Sequence, residues 1–68
     1  NKTFFQFLIE LRIEHACQLL TRADLQLSIL EISEQSGFSS ISNFNRQFKK
    51  LKGVIPSRFA AQQKNKTT

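Results

Sequence analysis

Apolar residues between Thr3 and Leu20 recur on two faces of a helix instead of one. Phe5, Ile9, Ile13, Ala16 and Leu20 form one stripe; Phe4, Phe7, Leu8, Leu11 and Leu19 form a second. A surface helix normally carries one apolar face of limited width, so the pattern predicts a long first helix packed on both sides. Either the remaining helices enclose it or part of its cover lies outside this sequence. With so little chain left to wrap around it, outside cover is the expected solution. Thr3 followed by Gln6 is a capping-box start, and no glycine or proline interrupts the run.

The pattern changes after a connector from Thr21 to Leu27, where Asp24 suits a turn. Ser28 and Glu31 form a second capping box. Ile29 and Ile32 then point inward, and Ser33 and Ser36 continue that face with small side chains that let a neighbour approach closely. Their hydroxyls can bond back to carbonyls one turn earlier, which keeps buried serines paired. Gly37 is the expected left-handed helix stop, with Phe38 packing back. A third helix follows from about Ile41 to Lys52, capped by Ser40 or Ser39. At about 100° per residue, Phe44, Phe48 and Leu51 share its inner side. Ser42, Asn45, Arg46 and Lys49 share the outer side, with Asn43 and Lys50 at its edge. The aromatics read as core and not as base-stacking platforms. Gly53 ends this helix, and Pro56 opens a last short one through about Gln62 that carries Arg58 and Phe59. Asn65 to Thr68 are expected to be disordered.

These elements predict an all-α fold: a small helical bundle with a long first helix and a homeodomain-like helix-turn-helix. Residues 1–21 form a linker helix, 22–64 the helix-turn-helix unit, and 65–68 a tail. At 68 residues such a domain buries only about 60% of its unfolded surface and is marginal on its own. No disulfide assists it, since Cys17 is the only cysteine, and one cysteine with one histidine makes no zinc site. A lone free thiol suits a reducing cytoplasm. No apolar run approaches the roughly 20 residues needed to span a bilayer, so no membrane partner is expected.

Charge placement sharpens the picture. The five acids all precede residue 35, where three cations accompany them for a net of −2; from Gln35 onward seven cations stand without an acid. That asymmetry is the footprint of a polyanion partner. Lys64 and Lys66 read as a solvated basic tail, whereas the cluster from Arg46 to Lys52 reads as DNA-facing. The glycine turn followed by a helix with a polar, cationic outer face is the layout of a helix-turn-helix, whose second helix enters the major groove. Its short leading side chains fit a groove about 12 Å wide. Asn43 and Asn45 suit adenine, Arg46 suits guanine, and Lys49 and Lys50 suit phosphates. The start of the last helix offers free N–H groups to a phosphate beside Ser57 and Arg58. A plain solvated face for the amides, or an internal ion pair of Arg46 with Glu14 or Glu31, is the structural alternative.

Leu11-Arg12-Ile13-Glu14, Ala16 and Leu19-Leu20, then Ile29, Ile32, Gly37-Phe38, Ser42, Phe44, Arg46, Phe48-Lys49-Lys50, Gly53 and Pro56, together resemble the C-terminal DNA-binding region of the AraC/XylS family of bacterial transcription regulators. The resemblance covers nearly the whole chain. It implies the linker helix and the second of two helix-turn-helix units, located in the bacterial cytoplasm on nucleoid DNA. It also implies base contacts from Ile41, Ser42, Asn43, Asn45 and Arg46, with Ile41 touching a thymine methyl. Phosphate contacts fall to Ser39, Ser40, Lys49, Lys50, Ser57 and Arg58. Double-stranded DNA is the implied partner, with RNA polymerase and the missing N-terminal half, seated on the first helix, as protein partners. The first eight residues line up weakly with Gly53 to Ala60, as the tail of an upstream copy would. Departures are Ser33 and Ser36 where small apolar residues are usual, and Phe59-Ala60 where tyrosine-arginine is common.

The rival function is a protein-interaction module that docks the bundle on an acidic partner through the exposed face of the first helix. An enzyme is not expected: no nucleophile–base pair, carboxylate pair or metal cluster is evident, no cofactor is implied, and His15 reads as half-buried structure.

Overall fold

The computed structural model describes residues 3–22 and 26–65, with side chains through residue 62. Asp24 and residues 66–68 therefore lie outside the described residues. Four helices make up the fold: α1 (Phe4–Leu20), α2 (Ile29–Gln35), α3 (Ile41–Lys52) and α4 (Pro56–Asn65). Each boundary has a local cause. Thr3 caps α1, its hydroxyl accepting from Gln6 N–H at 3.0 Å while Gln6 Oε1 accepts from Thr3 N–H at 3.2 Å. Ser28 and Glu31 cap α2 in the same reciprocal way, at 3.1 and 2.9 Å. Hydrogen bonding from the Ser28 backbone N–H, with a smaller part from its hydroxyl, holds the Glu31 carboxylate below the usual range. Ser40, not Ser39, caps α3 by accepting from Asn43 N–H at 3.1 Å. Gly37 and Gly53 both take left-handed backbone, at φ 91° and 85°, and end α2 and α3.

α1 packs against each of the other three helices, α2 against α3, and α3 against α4. The core consists of Ile9, Ile13, Ala16 and Cys17 from α1, Ile32 from α2, Phe38 beyond the turn, and Phe44 and Phe48 from α3. A relay of rings ties its far side together: Phe38 to Phe44 at 5.2 Å, Phe44 to Phe48 at 5.7 Å, and Phe48 to Phe59 at 5.4 Å between centroids. The first and last of these are edge-on and the middle one is tilted, and such ring pairs add to the burial of each ring. Cys17 belongs to this core, where burial pushes its thiol up.

Several expectations shift. Of the first apolar stripe, Phe5 is 64% exposed, because the bundle covers α1 only from Ile9 onward. Leu51 is 40% exposed for the same reason, at the far end of α3. Ser33 Oγ donates to the Leu30 carbonyl at 2.7 Å, but the buried Ser36 Oγ has no partner, so back-bonding serves one serine and not the other. His15 is exposed, not half-buried. α4 runs past Gln62 to Asn65, the first residue of the expected tail, since alanine, glutamine and lysine all favour helix and no breaker intervenes. Among the described residues, no helix is long and apolar enough to cross a membrane.

Candidate nucleic-acid interface

The two faces of α3 separate sharply. Phe44 and Phe48 are fully buried, whereas Ser42, Arg46, Lys49 and Lys50 are exposed and Asn43 and Asn45 are half-buried. Burial of the two rings fixes the rotation of the helix, and this rotation turns the polar residues outward. Ile41 sits at the edge, 37% exposed. Ser39 and Ser40 are exposed at the turn, and Ser40 is already engaged as the cap.

Two expected readers are joined. Arg46 Nη2 donates to Asn43 Oδ1 at 2.9 Å, one helical turn back. This bond orients both side chains along the outer face, and it replaces the alternative ion pair of Arg46 with Glu14 or Glu31. The partner of Glu14 is instead Lys52, whose Nζ lies 2.6 Å from Oε2. That pairing lifts Lys52 above the ordinary lysine range. Lys52 thus leaves the DNA-facing cluster in which its sequence position set it. Its phase could have shown this: counted at about 100° per residue, it falls about 40° from the buried Phe48.

α4 begins at the buried Pro56 and has no polar side chain as its cap, since Ile55 precedes it. Its first intrahelical bond runs from Phe59 N–H to the Ile55 carbonyl at 3.0 Å, so the N–H groups of Ser57 and Arg58 precede the ladder. Both side chains are exposed. These two stand on a separate helix from the outer face of α3, across Gly53.

A second exposed surface lies on α1. Phe4, Phe7 and Leu11 are 79%, 49% and 52% exposed, on the side opposite Ile9 and Ile13. A separate open groove, on the Ile9 side of α1, lies between α1 and α3 and is lined by Phe5, Ile9, Gln47 and Leu51.

A capped α2, a glycine turn and an α3 whose buried rings turn its polar side outward define a helix-turn-helix unit, a class that offers its second helix to DNA. The chain belongs to the AraC-type helix-turn-helix family, whose helix-turn-helix domain profile matches residues 1–62. It is 39% identical over 57 residues to the virulence regulon transcriptional activator VirF of Shigella flexneri, covering 84% of this chain and 21% of that protein. It is 42% identical over 59 residues to the HTH-type transcriptional activator CfaD of Escherichia coli, covering 87% and 22%. The MmsAB operon regulatory protein of Pseudomonas aeruginosa is 34% identical over 59 residues, covering 87% and 19%. The chain spans about a fifth of the length of these curated relatives. No solved structure matches it significantly.

Proposed function

We propose that this chain is the DNA-reading part of a transcription regulator, with α3 as the recognition helix in the major groove of double-stranded DNA. The observation that carries the reading is the outer face of α3: polar and cationic side chains stand clear of the bundle while Phe44 and Phe48 anchor the opposite side. Ser42, Asn43, Asn45 and Arg46 address base edges, and Ile41 addresses a thymine methyl. Each good bidentate pair is worth about 1–3 kcal/mol of discrimination. Ser39, Ser40, Lys49 and Lys50 address phosphates along the same strand path, and Ser57 and Arg58 a further one at the start of α4.

Residues 1–21 serve as a linker helix and 22–64 as the reading unit. The missing N-terminal half of the regulator covers Phe4, Phe7 and Leu11, and RNA polymerase is the protein partner of the bound regulator. A repeat relation supports the upstream half: aligning the first eight residues with residues 53–60 sets Phe4 opposite Pro56, and each begins a helix.

Binding titrations separate the roles. Arg46→Ala is expected to relax base preference at one position of a selected duplex, while Lys50→Ala weakens selected and random duplexes alike and lowers the salt slope by about 1. Equal losses on both duplexes for both variants would refute the assignment. Absence of binding to any duplex at low salt would refute the DNA reading and leave the protein-docking alternative, in which the exposed α1 face meets an acidic partner.

A further inference from the structure

Two side chains of α1 reach toward the two ends of α3. Arg12 lies over the turn before it: a β-carbon at Gly37 would stand 3.1 Å from Arg12 Nε, 3.5 Å from Cδ and 3.7 Å from Cζ. With Gly37 at φ 91°, the half-buried arginine fills the space beside a backbone that carries no side chain. Glu14 holds the other end, its Oε2 accepting from Nζ of Lys52, the last residue of α3, at 2.6 Å. Positions 12 and 14 project from flanks of α1 about 200° apart at 100° per residue, and Ile13 between them is core at 1% exposure. α1 therefore meets the turn–α3 segment through apolar contacts and through one long polar side chain toward each end. Tilting α3 against α1 would disturb these end contacts.

We propose that Arg12 and Glu14 are positioning residues for α3, fixing the tilt at which its outer face meets the groove. Neither reads a base; each acts through the segment it holds. An exposed ion pair contributes little stability, so loss of the Glu14–Lys52 pair is expected to leave folding nearly unchanged and to be read in selectivity. The inference rests on the DNA reading proposed above.

The test uses the 68-residue chain, a duplex that it selects from a randomised library, and a random duplex. Affinities are measured across a salt series at a temperature where circular dichroism shows each variant folded. Arg12→Ala is expected to lose about tenfold on the selected duplex, the worth of one base-edge pair, with affinity for the random duplex and the salt slope unchanged. Arg12→Lys does not restore selectivity, because it lacks the flat group that lies on the turn. Glu14→Lys lowers the selected-to-random ratio, and adding Lys52→Glu brings it back. This charge swap keeps the question answerable if an Arg12 variant does not fold. An unchanged ratio in Arg12→Ala or Glu14→Lys overturns the proposal. So does a fall in salt slope of about 1 for Arg12→Ala, which would make Arg12 a phosphate contact. Failure of the unsubstituted chain to select any duplex overturns the DNA reading itself, and is recognised before any variant is made.

Discussion

Phe48 and Lys49 are neighbours in the chain and opposites in the fold, so substituting them should separate stability from binding. Phe48 is fully buried and links the ring relay of α3 to α4, packing on Phe44 at 5.7 Å and on Phe59 at 5.4 Å. Removing a buried phenylalanine ring costs about 3–5 kcal/mol through lost transfer and the cavity left behind. At roughly 0.05–0.15 kcal/mol per residue, a 68-residue chain has only about 3–10 kcal/mol in total. Phe48→Ala is therefore expected to remove about a third or more of the total, and at the lower end of that range to leave the chain largely unfolded at room temperature. Phe48→Leu keeps most of the apolar volume but loses two ring contacts of about 0.5–1.5 kcal/mol each, a loss of about 1–3 kcal/mol. Lys49→Ala, on the exposed face, should stay within about 0.5 kcal/mol of the parent.

Urea denaturation followed by far-ultraviolet circular dichroism reads all three. With a slope near 1 kcal/mol per molar for so small a protein, Phe48→Leu moves the midpoint by about 1–3 M. The complementary measurement is DNA affinity at a temperature where both folded variants are intact. There Lys49→Ala loses affinity on selected and random duplexes together, while its melting curve overlays the parent. A cost below about 1 kcal/mol for Phe48→Ala, no more than an ordinary surface change, would refute the claim that this ring sets the rotation of α3.

Ser28→Ala should lower stability by about 1 kcal/mol through loss of the α2 cap; a melting temperature equal to the parent's would contradict the reciprocal bonds. Because Glu31 is held below its ordinary range, its contribution is present above the unfolded carboxylate pKa and is lost as pH falls through the folded one. The acid side of the melting profile should thus be shallower in Glu31→Gln than in the parent. Gly53→Ala should cost about 1–2 kcal/mol from left-handed strain alone, since nothing lies within 4 Å of the added carbon. Gly37→Ala should cost at least as much, because Arg12 must also move; the reverse order in urea would deny that contact. Cys17, 9% exposed with its thiol raised by burial, should react with a thiol reagent only at the rate of unfolding, and prompt labelling of the native chain would show the site to be open.

How far the sequence could be read depended on whether the signal was local. Thr3 with Gln6, Ser28 with Glu31, Gly37 and Gly53 are short-range devices in which the partner lies within three residues, and the structure has each of them. The inner face of α3 was legible because Phe44 and Phe48 recur at helical spacing. What could not be read was where cover stops. Phe5 and Leu51 have the phase of core residues, yet they only edge the open groove between α1 and α3 and stay 64% and 40% exposed. Cys17 went unplaced because a cysteine marks no face by itself. Contacts between helices were equally hidden: Glu14 and Lys52 are far apart in sequence, and Arg12 owes its place to a glycine 25 residues on. The outer face stood out as a set of residues, while the bond between Asn43 and Arg46 depended on rotamers that spacing does not give.

The long-range contacts matter for the strength of binding as well as for its geometry. Counted from the sequence, seven cations follow residue 35. In the fold Lys52 is neutralised by Glu14, and Arg46 is directed along the helix by Asn43 toward base edges on the proposed reading. Among the described side chains, Lys49, Lys50 and Arg58 remain as exposed cations suited to phosphates. Three such contacts give a salt slope of about −2.7, so affinity falls by a factor of about 40 for a fourfold rise in salt. On the proposed reading, a dependence that modest would belong to a unit that reads a few base pairs and holds DNA weakly by itself. The exposed apolar side of α1 bears on the same point, since a second reading unit seated there would add its own phosphate contacts on a rigid connection. On the proposed reading, tight binding would come from joining two weak readers through α1, with the polar contacts at positions 12 and 14 fixing the tilt of this half.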